Sequence, residues 1–231
     1  MLICQYLLKI TGLINRLAIL SVLAVSSQAA NAVPVVLTFE GLQDQEQILD
    51  FYNGGTGSAG SSGPNFGINF GSGALALIDS DAGGSGNFAN EPSADTIAFF
   101  LSTGSLIMNV AAGFDTGFAF FYTSSNPGTV TVWDGLGATG NILAVFNLVT
   151  NWQDNNCTGD PTGNFCNWDP IGIAFAGIAM SVDFAGVANQ VGFDDITLFS
   201  DTPGDVPEPG TLALLGLGLA ALGLSRRRRR T

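Results

Sequence analysis

Short apolar runs alternate with polar turns along most of the chain. From Val33 to Ser200 each run is rich in Phe, Val and Ile, and Gly, Asn, Asp, Ser and Pro separate one run from the next. Short apolar or alternating runs bounded by such residues predict β-strands. Strands are predicted at residues 35–39, 74–78, 96–101, 105–110, 117–122, 129–133, 142–149, 171–175, 179–184 and 191–199. This series favours an all-β fold, a jelly-roll-like β-sandwich.

The first 32 residues have a different pattern. Lys9 and Arg16 precede an apolar run from Leu17 to Val25, and Ala30-Asn31-Ala32 offers a small-x-small cleavage site. This arrangement is typical of a secretory signal peptide, which predicts an N-terminal signal helix in residues 1–32 and a mature chain starting near Val33. Because the segment before Arg16 is long and partly apolar, an uncleaved N-terminal anchor is the alternative.

The C-terminal end carries three elements in order. The motif Pro207-Glu208-Pro209 lies in a linker at residues 201–210, an apolar stretch at 211–225 predicts a short transmembrane helix, and residues 226–231 form an arginine-rich cytoplasmic tail. The apolar run from Thr211 to Leu224 reaches only about 21 Å as a helix, whereas the hydrocarbon core is roughly 30 Å thick. The arginines place the tail on the cytoplasmic side and the β-sandwich of residues 33–200 outside.

This tripartite end resembles the sorting signal of PEP-CTERM proteins. The resemblance implies that exosortase, a membrane cysteine protease, cuts near Pro207-Glu208-Pro209 after a transient stay in the inner membrane. The exported domain then becomes cell-surface or extracellular, in bacteria that make extracellular polysaccharide. An ordinary C-terminal anchor is the alternative, although it requires no Pro-Glu-Pro motif.

Charge is distributed unevenly along the chain. The seven basic residues are Lys9, Arg16 and the five arginines at 226–230, whereas the nineteen carboxylates all lie between Glu40 and Glu208. A mature domain without Lys, Arg or His cannot neutralise phosphates, which argues against nucleic acid as a partner. Calcium, which prefers oxygen ligands, is the inorganic cofactor we expect, while most of the carboxylates are solvated surface groups.

Catalysis is not expected from this composition. Without histidine there is no Ser-His or Cys-His pair, and without lysine in the mature domain there is no amine base. A carboxylate pair of the glycosidase type is the one arrangement left, and no pair stands out among the nineteen acids. We therefore predict that the chain is not an enzyme.

The segment around the two mature cysteines is a candidate ligand site. Cys157 and Cys166 enclose eight residues rich in turn formers, and export predicts that they form a disulfide. Trp152 and Trp168 flank them among Asn and Asp side chains. Indole faces stack on sugar rings while amides bond hydroxyls, so Trp152 and Trp168 are candidate carbohydrate-binding residues. Packing of both tryptophans against the disulfide is the alternative.

A second constellation joins the first and last strands. Strict alternation puts Asp194 on the same face as Ile196 and Leu198, so it is expected to point inward and to need a metal, a backbone donor or a proton. The segments Thr38–Gly41 and Val191–Leu198 resemble jelly-roll carbohydrate-binding modules that hold a structural calcium. That resemblance implies Glu40 and Asp194 as calcium ligands and Asp195 as a third, with a metal-free strand end as the alternative.

Asp79, Asp81 and Glu91 form a third acidic group. The segment begins like an EF-hand loop but has Gly83 at the fifth position and Asn90 at the twelfth, so that motif fails. A looser calcium turn is the interpretation that survives, against an ordinary Asp/Gly turn.

Together these features predict an exported, exosortase-processed, non-catalytic protein of the cell surface or biofilm matrix that associates with exopolysaccharide. Two other functions remain open. One is an ice- or surface-binding adhesin, although no repeated Thr-x-Thr array is present. The other is a carboxylate-dependent glycoside hydrolase or lyase.

Overall fold

The computed structural model describes residues 32–102, 105–159 and 163–204. These residues form eleven β-strands and one 3₁₀ turn at Asp154–Cys157. The strands are β1 (Val35–Leu37), β2 (Ile68–Phe70), β3 (Leu75–Ile78), β4 (Thr96–Phe99), β5 (Ser105–Phe114), β6 (Gly117–Ser124), β7 (Gly128–Gly135), β8 (Thr139–Leu148), β9 (Asp169–Ala174), β10 (Ala179–Ala185) and β11 (Val191–Leu198). The predicted all-β class is confirmed, and β2 is the strand that the sequence pattern missed.

The strands build two antiparallel sheets. The first sheet has the order β3-β4-β11-β6-β9, and β1 also pairs with β11. The second sheet has the order β2-β5-β10-β7-β8. β1 and β4 share one edge of β11, because β1 pairs with its C-terminal half and β4 with its N-terminal half. The end of β1 and the start of β4 therefore lie next to each other along β11. Glu40, which follows β1, is close to the middle of β11 for this reason.

The core between the sheets is mainly aromatic. Phe120 lies at its centre, with ring centroids 5.3 Å from Phe146, 5.7 Å from Phe184 and 5.8 Å from Phe193. These side chains come from alternate positions of strands in both sheets, as a half-buried strand pattern requires. Burial of these large rings stabilises the two sheets against each other, and the loops start and end on those sheets.

A β-bulge in β11 changes the predicted orientation of Asp194. The register of β11 against β6 shifts between Asp194 and Thr197, and Asp195 has a φ of 46°. Phe193 and Ile196 both lie in the core as a result. The expectation that Asp194 shares a face with Ile196 was wrong, because a bulge inserts one extra residue and reverses the alternation beyond it.

Two loops cover the outer face of the first sheet. The segment after β3 pairs with the segment after Cys157 through an isolated bridge between Phe88 and Phe165. The two loops enclose Ile97 and Phe99, which point away from the main core and are only 2% and 3% exposed. This covering layer forms a small second apolar core, and the candidate site lies at its border.

The predicted signal peptide, transmembrane helix and arginine-rich tail lie outside the described residues, apart from Ala32 at the end of the signal peptide. Within the described part of the chain, no helix is long and apolar enough to cross a membrane. The proposed boundaries of these terminal segments stay predictions.

Candidate functional site

The disulfide predicted from the spacing joins Cys157 to Cys166, with their Cα atoms 5.0 Å apart. The 3₁₀ turn brings the chain back so that the amides of Cys166 and Asn167 both donate to the carbonyl of Trp152, at 2.8 and 3.3 Å. Backbone hydrogen bonds and a covalent bond therefore close the same loop. We call its described residues, 151–159 and 163–169, the disulfide loop.

The amide side chains of the disulfide loop bond mainly to each other. Asn155 Nδ2 donates to Asn167 Oδ1 at 2.7 Å, and Asn167 Nδ2 donates to Asp169 Oδ1 at 3.1 Å. Asn151 is buried and donates to Asp169 Oδ2 at 3.0 Å. Much of the amide content that suggested a glycan site therefore holds the loop together. Asn155 is exposed, whereas Asn167 is buried.

The two tryptophans are in different environments. Trp168 is half-buried, donates from Nε1 to the carbonyl of Ala89 at 3.1 Å, and packs edge-on against Phe88 with ring centroids 6.2 Å apart. Trp152 lies 5.3 Å from Phe165, centroid to centroid. Trp152 is not among the lining residues of the pocket that Trp168 borders, so the structure does not bring the two indoles together as one platform there. Trp168 alone borders the pocket described next.

An open pocket of about 590 Å³ lies between the disulfide loop and the bulge of β11. Five of its lining residues carry polar side chains, namely Asn90, Asn155, Thr158, Asn167 and Asp195, and Trp168 and Phe121 supply aromatic surface. We call it the disulfide pocket. It joins two features that are far apart in sequence, and burial raises the pKa of the Asp195 carboxyl at its wall.

Asp194 faces the segment that precedes β4. Its carboxylate accepts hydrogen bonds from the amide of Ser93 at 2.8 Å and from the amide of Asp195 at 2.7 Å. Ser93 Oγ lies 2.7 and 2.9 Å from the two carboxylate oxygens and 3.2 Å from the carbonyl oxygen of Thr38. We call this group, Thr38, Ser93 and Asp194, the Ser93 corner.

The Ser93 corner holds more acceptors than protons. One hydroxyl has one proton, yet three oxygen atoms lie within hydrogen-bonding distance of Ser93 Oγ. Asp194 is fully buried, and burial, with a smaller effect from the negative charge of Asp195, raises the pKa of Asp194 to about 8. A cation or a proton would relieve this excess of lone pairs.

Glu40 is held by the same segment but not by the same donors. Its Oε1 accepts from the amides of Asp95 and Thr96 at 3.0 and 2.9 Å, and its Oε2 accepts from Thr96 Oγ1 at 3.2 Å. Glu40 thus accepts the hydrogen bonds of the donor groups at the start of β4, and these contacts hold its carboxylate at the end of β1.

The three predicted calcium ligands all lie close enough to Tyr52 to affect the pKa of its hydroxyl. Its hydroxyl accepts from the amide of Phe39 at 2.7 Å. Burial raises the pKa of Tyr52, and the charges of Asp194, Glu40 and Asp195 raise it further. All three carboxylates therefore act on one phenol. Within the described residues, no group of three or more His, Cys, Asp or Glu side chains has the geometry of a metal site.

The third acidic group lies in the loop that covers the first sheet. Glu91 is half-buried, and burial together with the charges of Asp79, Asp95 and Asp81 raises its pKa to about 7. Asp79 is itself buried and accepts from the amide of Ser80 at 2.5 Å. These residues repel each other electrostatically, and the looser calcium turn stays a prediction.

Sequence reasoning missed Glu46. This side chain is 2% exposed and accepts from the amides of Gln43, Ala59 and Ser61 at 2.8, 2.8 and 3.2 Å. Burial alone would raise its pKa, but hydrogen bonds from Ser61, Gln43 and Ala59 outweigh burial and the pKa of Glu46 is lowered. Glu46 anchors the glycine/serine loop at 53–65, and no local pattern distinguishes it from a surface acid.

Comparisons with known proteins add two findings. Residues 205–230 match the family described as the PEP-CTERM protein-sorting motif, which confirms the predicted sorting signal. Such a motif implies export and a C-terminal membrane anchor before cleavage. No curated protein matches the chain.

Several solved structures are similar to this chain at low identity. The K2 cleaved adhesin domain of Lys-gingipain is 13% identical with a TM-score of 0.43, and the match covers 71% of this chain and 98% of that one. The carbohydrate-binding module CBM6cm-2 from Cellvibrio mixtus lichenase 5A, in complex with cellotriose, is 14% identical with a TM-score of 0.33 and coverages of 55% and 86%. TmCBM61 in complex with β-1,4-galactotriose is 13% identical, with a TM-score of 0.34 and coverages of 57% and 86%. Nothing about a ligand of this chain follows from these likenesses.

Proposed function

We propose that this chain is an exported, exosortase-processed, non-catalytic protein that binds neutral extracellular polysaccharide through the disulfide pocket. The observation that carries the proposal is the pocket itself. The disulfide loop presents the Trp168 indole, the amide side chains of Asn155 and Asn167 and the Thr158 hydroxyl around an open volume of about 590 Å³. Stacking surface combined with hydroxyl-bonding groups is what a sugar ring requires.

The charge of the domain narrows the ligand class. Every cation of the chain lies in its terminal segments, whereas all nineteen carboxylates lie between Glu40 and Glu208. An acidic surface repels uronate, sulfate and phosphate groups. A glycan whose hydroxyls are its only polar groups meets no such repulsion, so neutral polysaccharide is the class that the pocket favours.

We also propose a structural calcium ion beside the pocket. Asp194 would supply the carboxylate, with the carbonyl of Thr38 and the hydroxyl of Ser93 as further oxygen ligands, and Glu40 and Asp195 close by. The converging oxygens of the Ser93 corner support this assignment, since calcium binds six to eight oxygen atoms. The ion would fix the bulge of β11, which carries Asp195 into the wall of the pocket.

The sorting motif supports processing at the C-terminal end. The match at residues 205–230 includes Pro207-Glu208-Pro209, the apolar run and all five arginines of the tail. Cleavage near Pro207 would release the β-sandwich, whose last described residue is Gly204.

Affinity gel electrophoresis tests the binding site directly. The full chain, in detergent micelles, is run through native gels containing hydroxyethyl cellulose, galactan, xylan or dextran. Trp168→Ala should lower the affinity measured by retention about tenfold, since an aromatic stacking contact contributes up to about 1.4 kcal/mol. Trp152→Ala is the matched control, because it removes an indole from the same loop but outside the pocket.

Melting temperatures of both variants must accompany the binding data. If Trp168 acts only in packing, its truncation costs about 3 to 5 kcal/mol of stability and retention falls only as the fold is lost. Retention that is unchanged in a folded Trp168→Ala variant would reject the disulfide pocket as the binding site.

A further inference from the structure

The outer face of the second sheet carries a row of polar side chains around one tryptophan. The strand registers place Asn69 opposite Asn109, Asn109 opposite Ser181, and Ser181 opposite Trp133. These four residues alternate with core residues such as Met108 and Val182, so they point away from the core. The row therefore crosses four strands, β2, β5, β10 and β7.

A second row runs beside the first. Asp183 on β10 lies opposite Thr131 on β7 and opposite Ile107 on β5. Asp183 is therefore a diagonal neighbour of Trp133, two residues from Ser181, which is within reach of a long aromatic side chain. Ser181 is fully buried, because its hydroxyl accepts from the amide of Ala138 and donates to the carbonyl of Gly135 at the turn that joins β7 to β8. We call the remaining residues, Asn69, Asn109, Trp133, Asp183 and Thr131, the Trp133 face.

Three polar atoms of the Trp133 face are buried and have no hydrogen-bond partner. They are Asn69 Oδ1, Trp133 Nε1 and Asp183 Oδ1, and Thr123 Oγ1 on the first sheet is the one other such side-chain atom in the described part of the chain. Each unsatisfied group of this kind costs about 1 to 3 kcal/mol. Three on one surface give no advantage in stability, so this concentration requires another explanation.

These three side chains lie at the boundary between the sheet and solvent. Asn69, Trp133 and Asp183 are each half-buried as residues, so part of every side chain already borders solvent. Trp133 Nε1 is an unpaired donor, and Asn69 Oδ1 and Asp183 Oδ1 are unpaired acceptors. A ligand that reaches these atoms would add hydrogen bonds without replacing any that they make.

The surroundings of the face are fixed and partly apolar. A pocket of about 390 Å³ lies between Asn69, Asn109 and the turn that joins β7 to β8. That turn is held over the face because the amide of Gly137 donates to Asn109 Oδ1 at 2.7 Å. Ile142 and Val145 on β8 are 54% and 46% exposed beside Trp133 and Thr131, so the apolar surface extends from the indole to the sheet edge.

The chemistry of this surface suits a neutral glycan. An indole and exposed aliphatic side chains match the apolar faces of sugar rings, while the unpaired donor and acceptors match hydroxyls. An anion is disfavoured because the face contains Asp183 and the mature domain contains no cation.

We propose that the Trp133 face is a second polysaccharide-binding surface, directed away from the disulfide pocket, and that one domain therefore cross-links two glycan chains. The disulfide pocket borders the outer face of the first sheet through Phe121 and Asp195, whereas the Trp133 face is the outer face of the second sheet. The core separates them, so a single chain segment cannot cover both. This inference rests on the proposed function for the ligand class.

Retention and cross-linking are measured on the same proteins. Wild type, Trp133→Ala, Trp168→Ala and the double variant, all as full chains in detergent, are run in the native gels described above. Light scattering then measures whether the protein aggregates the polysaccharide that retained it in the gel. Sedimentation verifies that the protein is monomeric in the same detergent. Asn147→Ala is the control on the second sheet, because Asn147 is exposed and lies outside the face.

We expect each single variant to keep partial retention, to bind about tenfold more weakly than wild type, and to lose cross-linking, because one site cannot bridge two chains. The double variant should lose both properties, and Asn147→Ala should keep both. If Trp133→Ala destabilises the fold, Trp133→Phe keeps an aromatic ring but removes the donor, and Asp183→Asn removes the charge. Both should show weaker cross-linking at an unchanged melting temperature.

The results separate the two proposals. If folded Trp133→Phe, Asp183→Asn and, where it folds, Trp133→Ala all cross-link like wild type, the second surface is refuted while the disulfide pocket stands. If Trp133→Ala loses retention and Trp168→Ala does not, the Trp133 face is the sole site and cross-linking is refuted. If wild type is retained by none of the four polysaccharides, both the proposed function and the proposal of a second binding surface are refuted.

Discussion

The stability of the domain should fall as pH rises, and Asp194 should be a main cause. Burial raises the pKa of Asp194 from its ordinary value of 3.8 to about 8. Between those two values the folded state holds a proton that the unfolded state has lost. Stability falls with pH wherever the folded state binds more protons, so the contribution of Asp194 is fully present below pH 4 and is lost progressively up to about pH 8.

The size of the effect follows from one proton per molecule. Each pH unit within this window costs about 1.4 kcal/mol for one fully linked proton, so raising the pH from 5 to 7 should lower the free energy of unfolding by about 2.5 kcal/mol. For a domain of this length that corresponds to a melting temperature lower by roughly 5 to 10 °C. Glu91, whose pKa burial raises to about 7, adds to the fall in the same direction.

Urea unfolding at pH 5, 6 and 7 in the presence of a chelator measures this dependence. Asp194→Asn should remove about 2.5 kcal/mol of the difference between pH 5 and pH 7, because the amide keeps the shape of the side chain but cannot ionise. Asp115→Asn is the matched control, since Asp115 is exposed between β5 and β6. Equal pH dependence in wild type and Asp194→Asn would refute the argument.

Two further predictions use the same chain. At pH 7.5, calcium in hundredfold excess over its Kd should add about 2.7 kcal/mol, and Asp194→Ala should abolish this gain in thermal unfolding, whereas equal melting curves in chelator and in calcium would remove calcium from the Ser93 corner. In the exporting cell, replacement of Pro207-Glu208-Pro209 by alanines should leave export intact while the protein accumulates in the membrane fraction, and unchanged release into the medium, seen by immunoblotting, would contradict exosortase processing.

The strand pattern was readable from the sequence because most strands are longer than three residues and form apolar or alternating runs between turn-forming residues. β2 was missed since its three residues, Ile68–Phe70, follow a long glycine/serine loop and are too few to show a period. The disulfide was predictable for a different reason, since spacing and export alone favour it. The local residue pattern therefore predicted the strands and the disulfide, but not which strands pair with each other.

The bulge in β11 shows where local reasoning ends. Nothing in Phe193-Asp194-Asp195-Ile196 distinguishes a regular strand from a bulged one, because the bulge is a shift in the register of β11 against β6, which lies far away in the sequence. Asp194 was correctly singled out as a buried acid in need of a partner. Its backbone donors come from Ser93 and Asp195, and the long-range one cannot be seen without the fold.

The polar surfaces were hardest to foresee. Trp168 and Asp195 meet in one pocket only because the disulfide loop folds over the first sheet, and Trp133 gains Asp183 as a neighbour only through the register of β7 and β10. In the sequence, Trp133 ends an ordinary strand. Cross-strand neighbours are set by register, which single-sequence patterns do not contain.

A domain without cations has to satisfy its carboxylates in another way, and the structure shows how. Glu46, Glu40 and Asp194 each accept hydrogen bonds from two or more backbone amides, and Asp44 accepts one from the amide of Ile78. These acids hold loops against strands by hydrogen bonds to amides rather than by ion pairs. Their negative field stays uncompensated, so anionic partners are repelled at long range while uncharged ligands are not. Binding must then come from apolar faces and hydroxyl-bonding groups at contact distance, which are the properties shared by the disulfide pocket and the Trp133 face.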